Sequence, residues 1–192
     1  MFLRDFKTEN IKGVDIDPQM IELLKKIITV GEYRICENKG KIPWNLKFDL
    51  ITSYSVFSHL SENNGFHWIK QIHNVLKSDG LLIITSLSSS FIQICKSAVI
   101  NPEASDWAKN LSKGVEKSYP NWKFDLDKFP NNKIFYLSTG GGFDWTPEND
   151  YGWAVLSKNY IKEKWGNLFE ILDFVDDQSK LLQVYIVLRK IN

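Results

Sequence analysis

The chain has two cysteines, three histidines, six prolines and almost no net charge, and each shortage closes a class of function. Cys36 and Cys95 lie far apart, with no CxxC pair and no Cys/His cluster, so neither a disulfide framework nor a zinc site is written here. Two free thiols fit a reducing cytosol. His67 and His73 are six residues apart on one expected helix, not the three or four that share a face, so no metal is expected. A formal charge of +1 over 192 residues gives no electrostatic ground for a nucleic-acid or acidic-membrane partner. No stretch is apolar enough to span a bilayer. The start, MFLRDFKTEN, carries acidic residues and lacks the apolar core of a secretion signal, so the expected location is the cytoplasm. Met1 to Lys12 also hold no glycine-rich turn that would let backbone approach a charged cofactor tail.

What is present is enough hydrophobic content, 43% of residues, to bury a sizeable core in one domain spanning 1–192. The most informative run is IKGVDIDPQMIELLKK, Ile11 to Lys26. Ile11, Val14 and Ile16 suit a strand over 12–16. Asp17 can cap a helix over 18–28, with Pro18 at its first position and Ile21, Leu24, Ile27 and Ile28 on one stripe. Asp15 then stands at the carboxyl end of a strand, where a carboxylate can accept both ribose hydroxyls of a nucleotide-like cofactor. The plainer alternative is a capped helix with a solvated Asp15.

Further along, a short strand is expected from Tyr33 to Cys36, followed by the polar turn ENKGK. FDLITSY, 48–54, reads as a strand covered on both faces. Ser61 or Asn63 can cap a helix from about Gly65 to Leu76, with Phe66, Ile69, Ile72, His73 and Leu76 at helical spacing. SDG stops that helix, and LLIITS, 81–86, makes the next strand. Strand, helix and strand with short connections indicate a parallel α/β sheet. Residues 91–157 break the pattern with turn signals and aromatics, an elaboration rather than a repeat. Gly140 to Gly142 suit a turn or a close backbone approach to a ligand. Ser157 can cap a helix from Lys158 to Trp165. FEILDFV and QVYIVLRK then form strands that pair antiparallel and close the sheet.

These pieces resemble the class I methyltransferases that use S-adenosylmethionine, most closely over 11–86 and 156–190. The resemblance implies a doubly wound, mostly parallel sheet with an antiparallel last strand. GVDIDPQMIELLKK looks like the family's second strand and helix, which puts Asp15 on the cofactor ribose and Ile16 beside the adenine. Glu37 or Asn38 resembles the residue near the adenine amine. FDLITSYSVFSHL is similar to the fourth strand and its loop, where Tyr54, Ser55 and Val56 line the methionine moiety. WIKQIHNVLKSDGLLIITS is similar to the helix and strand usually written RVLKPGG plus an apolar run, with Asn74 for the arginine and SDG for PGG. The tail resembles the last strands of bacterial members, many of which lie near sugar or cell-surface biosynthesis.

The departure is at the front. The family places a first strand and a D/E-x-G-x-G loop before Ile11, at the centre of the sheet, whereas FLRDFKTENIKGVDID looks like the end of the first helix leading into strand two. The expectation is an N-terminally truncated domain, with Met1 an internal start or the chain a fragment. Backbone N–H and C=O groups beside the absent strand need partners. Direct pairing of 12–16 with 48–54, residues 1–8, or a strand from another chain in a homo-oligomer or hetero-complex are the choices.

Methyl transfer demands little of the protein beyond alignment, exclusion of water and, for some acceptors, a general base. His59, just past the fourth strand, is the candidate base; the alternative is a histidine that packs or caps the loop. Phe143, Trp145, Tyr151 and Trp153 are candidates to stack on a sugar or other small acceptor, with Asp144 and Asp150 as polar contacts; core or lid packing is the alternative for these aromatics. The leading expectation is methyl transfer to a small molecule. The others are a noncatalytic binding or assembly module derived from such an enzyme, and a nucleotide-sugar or nicotinamide enzyme reusing Asp15. The last also needs a glycine fingerprint before Ile11, and none is there.

Overall fold

The computed structural model describes residues 7–139, 150–177, 179 and 183–192. The backbone falls into two compact units, Met1–Leu46 and Lys47–Asn192.

In the first unit a single 3-10 turn, Thr8–Asn10, leads into strand β1, Lys12–Asp15. This turn stands where the last turns of a helix over 2–9 were expected, and residues 2–6 of that expectation lie outside the described residues. Asp17 caps helix α1, Pro18–Ile27, by accepting from Gln19 N at 2.8 Å and Met20 N at 3.2 Å, while Pro18 occupies a position with no backbone bond to lose. Ile21 is buried and Leu24 and Ile28 are half-buried, but Ile27 is exposed. At 100° per residue Ile27 lies about 120° round the helix from Ile21, off the buried stripe. Strand β2, Glu32–Ile35, runs parallel to β1 in register Lys12↔Glu32 to Asp15↔Ile35. The bond from Cys36 N to Asp15 O, 2.9 Å, extends that alignment to the residue where the strand was expected to end.

In the second unit, strand β3, Phe48–Ser53, is followed by helix α2, Glu62–Val75, which Ser61 caps through Asn64 N. Strand β4, Leu76–Leu87, begins five residues earlier than expected. SDG is therefore an irregularity inside the strand rather than a stop before it: Asp79 takes a left-handed backbone (φ 58°), and the β3–β4 register slips between Phe48↔Leu76 and Leu50↔Leu81. Helix α3, Ser90–Ile100, and helix α4, Asp106–Ser118, come next, then strands β5, Phe135–Ser138, and β6, Gly152–Val155. Helix α5, Lys158–Trp165, strand β7, Phe169–Val175, and strand β8, Gln183–Lys190, complete the chain.

Among the described residues β1 and β2 form a two-stranded sheet, and the other strands a sheet ordered β5-β6-β4-β8-β7 with β3 also on β4. Among the described residues β1 pairs with β2 in the first unit and β3 with β4 in the second. β3 is parallel to β4, while β8 is antiparallel to both β4 and β7, as the antiparallel closing pair requires. β8 covers one edge of β4 from Leu81 to Leu87, and β3 covers the other as far as Ile84. β6 joins at Leu87↔Val155, just past the end of β3. That brings the inserted hairpin to the carboxyl end of β4.

The aromatic-rich insertion is more ordered than its turn signals suggest. Phe91, Cys95, Val99, Leu111, Val115 and Phe135 share a buried cluster joined by Tyr119, Trp122, Phe129 and Trp153. Tyr119 stacks on Phe135 at 4.8 Å, and Phe129 meets Phe135 edge-on at 5.3 Å. These rings are core, which is the ordinary destination of aromatic side chains.

Candidate functional site

The first unit gathers four candidate residues at one end of its two parallel strands. Asp15 ends β1, Ile16 follows it, and Glu37 and Asn38 follow β2, whose Ile35 is the register partner of Asp15. Asp15 Oδ1 accepts from Asp17 N at 2.9 Å, which fixes the carboxylate against the turn into α1. Glu37 O accepts from Gly40 N at 2.8 Å, and Lys39 takes the left-handed backbone (φ 65°), so ENKGK is the expected tight turn. Cys36 lies beside this end. Burial first, then the charge of Asp15, pushes its thiol up to about 11, so it stays protonated and unreactive at neutral pH. Neither cysteine is in a disulfide, and burial pushes Cys95 up to about 12.

The second unit holds another cluster at the carboxyl ends of β3 and β4. Tyr54 and Val56 are exposed, 70% and 45%, while Ser55 between them is half-buried in a left-handed conformation (φ 58°). Ser55 N donates to Thr85 Oγ1 at 2.8 Å, and Ser55 Oγ lies 3.3 Å from Ser58 Oγ. The next turn places His59 against β6. Its Nδ1 lies 2.8 Å from Gly152 O, its own carbonyl accepts from Gly152 N at 2.9 Å, and Ser58 O accepts from Ala154 N at 2.8 Å. A carbonyl only accepts, so Nδ1 carries the proton, and Nε2 of the neutral ring keeps its lone pair.

His59 stacks on Tyr151, centroids 4.8 Å apart and 5° from parallel, and tilts against Trp153 at 5.1 Å. Three of the sequence-chosen residues, His59, Tyr151 and Trp153, are therefore in one aromatic cluster. His59 packs against both rings, and its hydrogen bond to the Gly152 carbonyl sets its tautomer. Asp150 is buried and accepts from Ser61 Oγ at 3.1 Å. Phe143, Trp145, Asp144 and Gly140 to Gly142 lie outside the described residues. No cluster of His, Cys, Asp and Glu fit for a metal ion occurs among the described residues.

Sequence reasoning missed Thr85, Gln183 and the Gly152 carbonyl. Thr85 Oγ1 donates to Gln183 Oε1 at 2.5 Å, and Gln183 Nε2 donates to Ser55 Oγ at 2.8 Å. These groups converge from separate strands, so no local spacing announces them.

Residues 1–84 match the methyltransferase domain family. Solved structures share the fold of the chain. A protein of Pyrococcus horikoshii, PH0226, superposes with TM-score 0.57 at 15% identity over 100% of this chain and 75% of its own. An S-adenosylmethionine-dependent methyltransferase of Clostridium acetobutylicum gives 0.56 at 15% identity, covering 100% and 78%. The fold of the chain is that of the class I methyltransferases. PKMT2 of Rickettsia typhi, solved with S-adenosylhomocysteine, gives TM-score 0.53 at 14% identity over 93% of this chain. The chain spans less than half the length of that relative, 43%. No curated protein matches it in sequence. S-adenosylmethionine is the cofactor of the family, and a ribose diol needs acceptors of the kind Asp15 offers: Oδ1 already holds a backbone N–H, and the second oxygen retains acceptor capacity. No helix among the described residues is long and apolar enough to cross a membrane.

Proposed function

We propose that the chain binds S-adenosylmethionine and takes part in methyl transfer to a small-molecule acceptor, a sugar or cell-surface precursor, in the cytoplasm. The observation that carries the reading is the placement of acidic and polar candidates at the carboxyl ends of β1 and β2, with a second polar set at the carboxyl ends of β3 and β4. Ligands of doubly wound sheets bind at those ends. Asp15 takes the ribose hydroxyls, Ile16 packs on the adenine, and Glu37 or Asn38 meets the adenine amine. Tyr54, Ser55 and Val56 line the methionine moiety.

The cofactor supplies an already activated methyl on a sulfonium. The protein's own task is to align the acceptor, exclude water and, where the acceptor must lose a proton, remove it. His59 is the base of this reading, because the Gly152 carbonyl leaves its Nε2 lone pair for an acceptor hydroxyl or amine. Tyr151 and Trp153 form an aromatic wall beside it, with Phe143 and Trp145 assigned to the same acceptor. A small acceptor has a parallel in a structural neighbour from Burkholderia thailandensis, 12% identical with TM-score 0.55 over 95% of this chain and 62% of its own, solved with 1,6-didemethyltoxoflavin and S-adenosylhomocysteine.

Isothermal titration with S-adenosylhomocysteine tests the reading. Wild-type chain is expected to bind, and Asp15→Ala to weaken binding by about tenfold or more, the scale of one or two charge-assisted hydrogen bonds. Equal affinity of the two proteins would remove Asp15 from the site. Absence of binding by the wild type would favour a noncatalytic module on the same scaffold.

A further inference from the structure

We infer that Gln183 is a positioning residue for the loop after β3, holding Ser55 in the left-handed conformation that sets the path of Tyr54, Ser55 and Val56. This inference rests on the proposed cofactor role of that loop.

Three observations converge on it. Ser55 is a non-glycine residue at φ 58°, a region that a β-carbon disfavours and that persists where surrounding contacts enforce it. Its amide and its hydroxyl are engaged from other strands: the amide donates to Thr85 Oγ1 at 2.8 Å, and the hydroxyl accepts from Gln183 Nε2 at 2.8 Å. Gln183 Oε1 in turn accepts from Thr85 Oγ1 at 2.5 Å, which closes a ring of three hydrogen bonds over Ser55, Thr85 and Gln183.

The ring has a direction. Thr85 is 2% exposed and its hydroxyl has one proton, which goes to Gln183, so its oxygen is free to accept the Ser55 amide. The glutamine amide group then faces Ser55 with its donor. An amide flipped the other way would set its NH2 group against the Thr85 hydroxyl and its oxygen against Ser55 Oγ. The Thr85 oxygen would then accept from both amides, and its own proton would lose the Gln183 acceptor.

Gln183 opens β8 and is the register partner of Leu87, the last residue of β4. Its side chain reaches Thr85 within β4 and Ser55 in the loop that leaves β3. A long neutral side chain with one donor and one acceptor is what that span requires. Leucine would fill the space and leave Thr85 Oγ1 and Ser55 Oγ each short of a partner. The last strand of the sheet thereby acts on the loop at the end of a strand it does not pair with.

The test combines nuclear magnetic resonance with titration on the full chain, using Gln183→Leu and, as a second route to the same ring, Thr85→Val. Both variants are expected to shift the Ser55 amide resonance and lower its hydrogen-exchange protection by about tenfold or more, while the amides of α4 stay unchanged. Unaltered Ser55 signals in both would overturn the inference whether or not the chain binds cofactor. Where wild type binds S-adenosylhomocysteine, Gln183→Leu is expected to weaken it by about tenfold, and by less than about threefold in a Ser55→Gly background, where glycine needs no help to adopt positive φ. An equal loss in both backgrounds, or a fall in melting temperature with affinity unchanged, would also overturn it. Absence of wild-type binding with altered Ser55 signals would sink the cofactor reading alone.

Discussion

Gly152 shows how one residue serves two neighbours. Its carbonyl takes the His59 Nδ1 proton, and a β-carbon added there would lie 2.1 Å from the Leu137 carbonyl oxygen on the adjacent strand. That contact is with backbone, which cannot turn aside. Gly152→Ala is expected to cost roughly 2–3 kcal/mol, with a fall in melting temperature of about 5–10 °C by calorimetry. Glu32 provides a prediction in pH. Lys12 at 2.9 Å, then Trp44, with Arg34 adding, hold its carboxyl at about 2 instead of 4.5, against a smaller opposing effect of burial. Folding thus favours the ionised form. The stability it contributes is fully present above about pH 4.5 and is lost as pH falls through about 2. A carbon-detected titration is expected to find the Glu32 midpoint near 2, and Lys12→Met to move it towards 4.5.

Elements were legible in the sequence where one local signal sufficed. The Asp17-Pro18 start of α1, the Ser61 cap of α2 and the Ser157 cap of α5 each place a side-chain oxygen on a backbone N–H two or three residues on, and all three formed. The two final strands were visible from their apolar alternation. The start of β4 was not, because SDG is an ordinary turn signal and only the ladder with Phe48 makes Leu76 part of the strand. The insertion was read as loose because its aromatics serve a core assembled from α3, α4 and β5, which no single window of sequence contains. That core gives the prediction at this scale. Phe135 is fully buried and touches Tyr119 and Phe129. Phe135→Ala is expected to cost about 3–5 kcal/mol in urea unfolding, most of the stability of a marginal fold. A loss under about 1 kcal/mol would mean that the insertion does not share in the cooperative unit.

Across the whole molecule, the candidate residues were legible at their strand ends and illegible in their supports. Asp15 and His59 stand next to strands that announce themselves, whereas Gln183 and Thr85 become neighbours of Ser55 only through the order β3-β4-β8. The account's central claim is the proposal that this chain binds S-adenosylmethionine, with Asp15 on its ribose. Hydrogen exchange of the full chain with and without S-adenosylhomocysteine tests it most directly. The account predicts slowed exchange at Asp15–Asp17, at Glu37–Gly40 and from Tyr54 to Ser58, with α3 and α4 unchanged. Protection elsewhere, or none at saturating ligand, would contradict it.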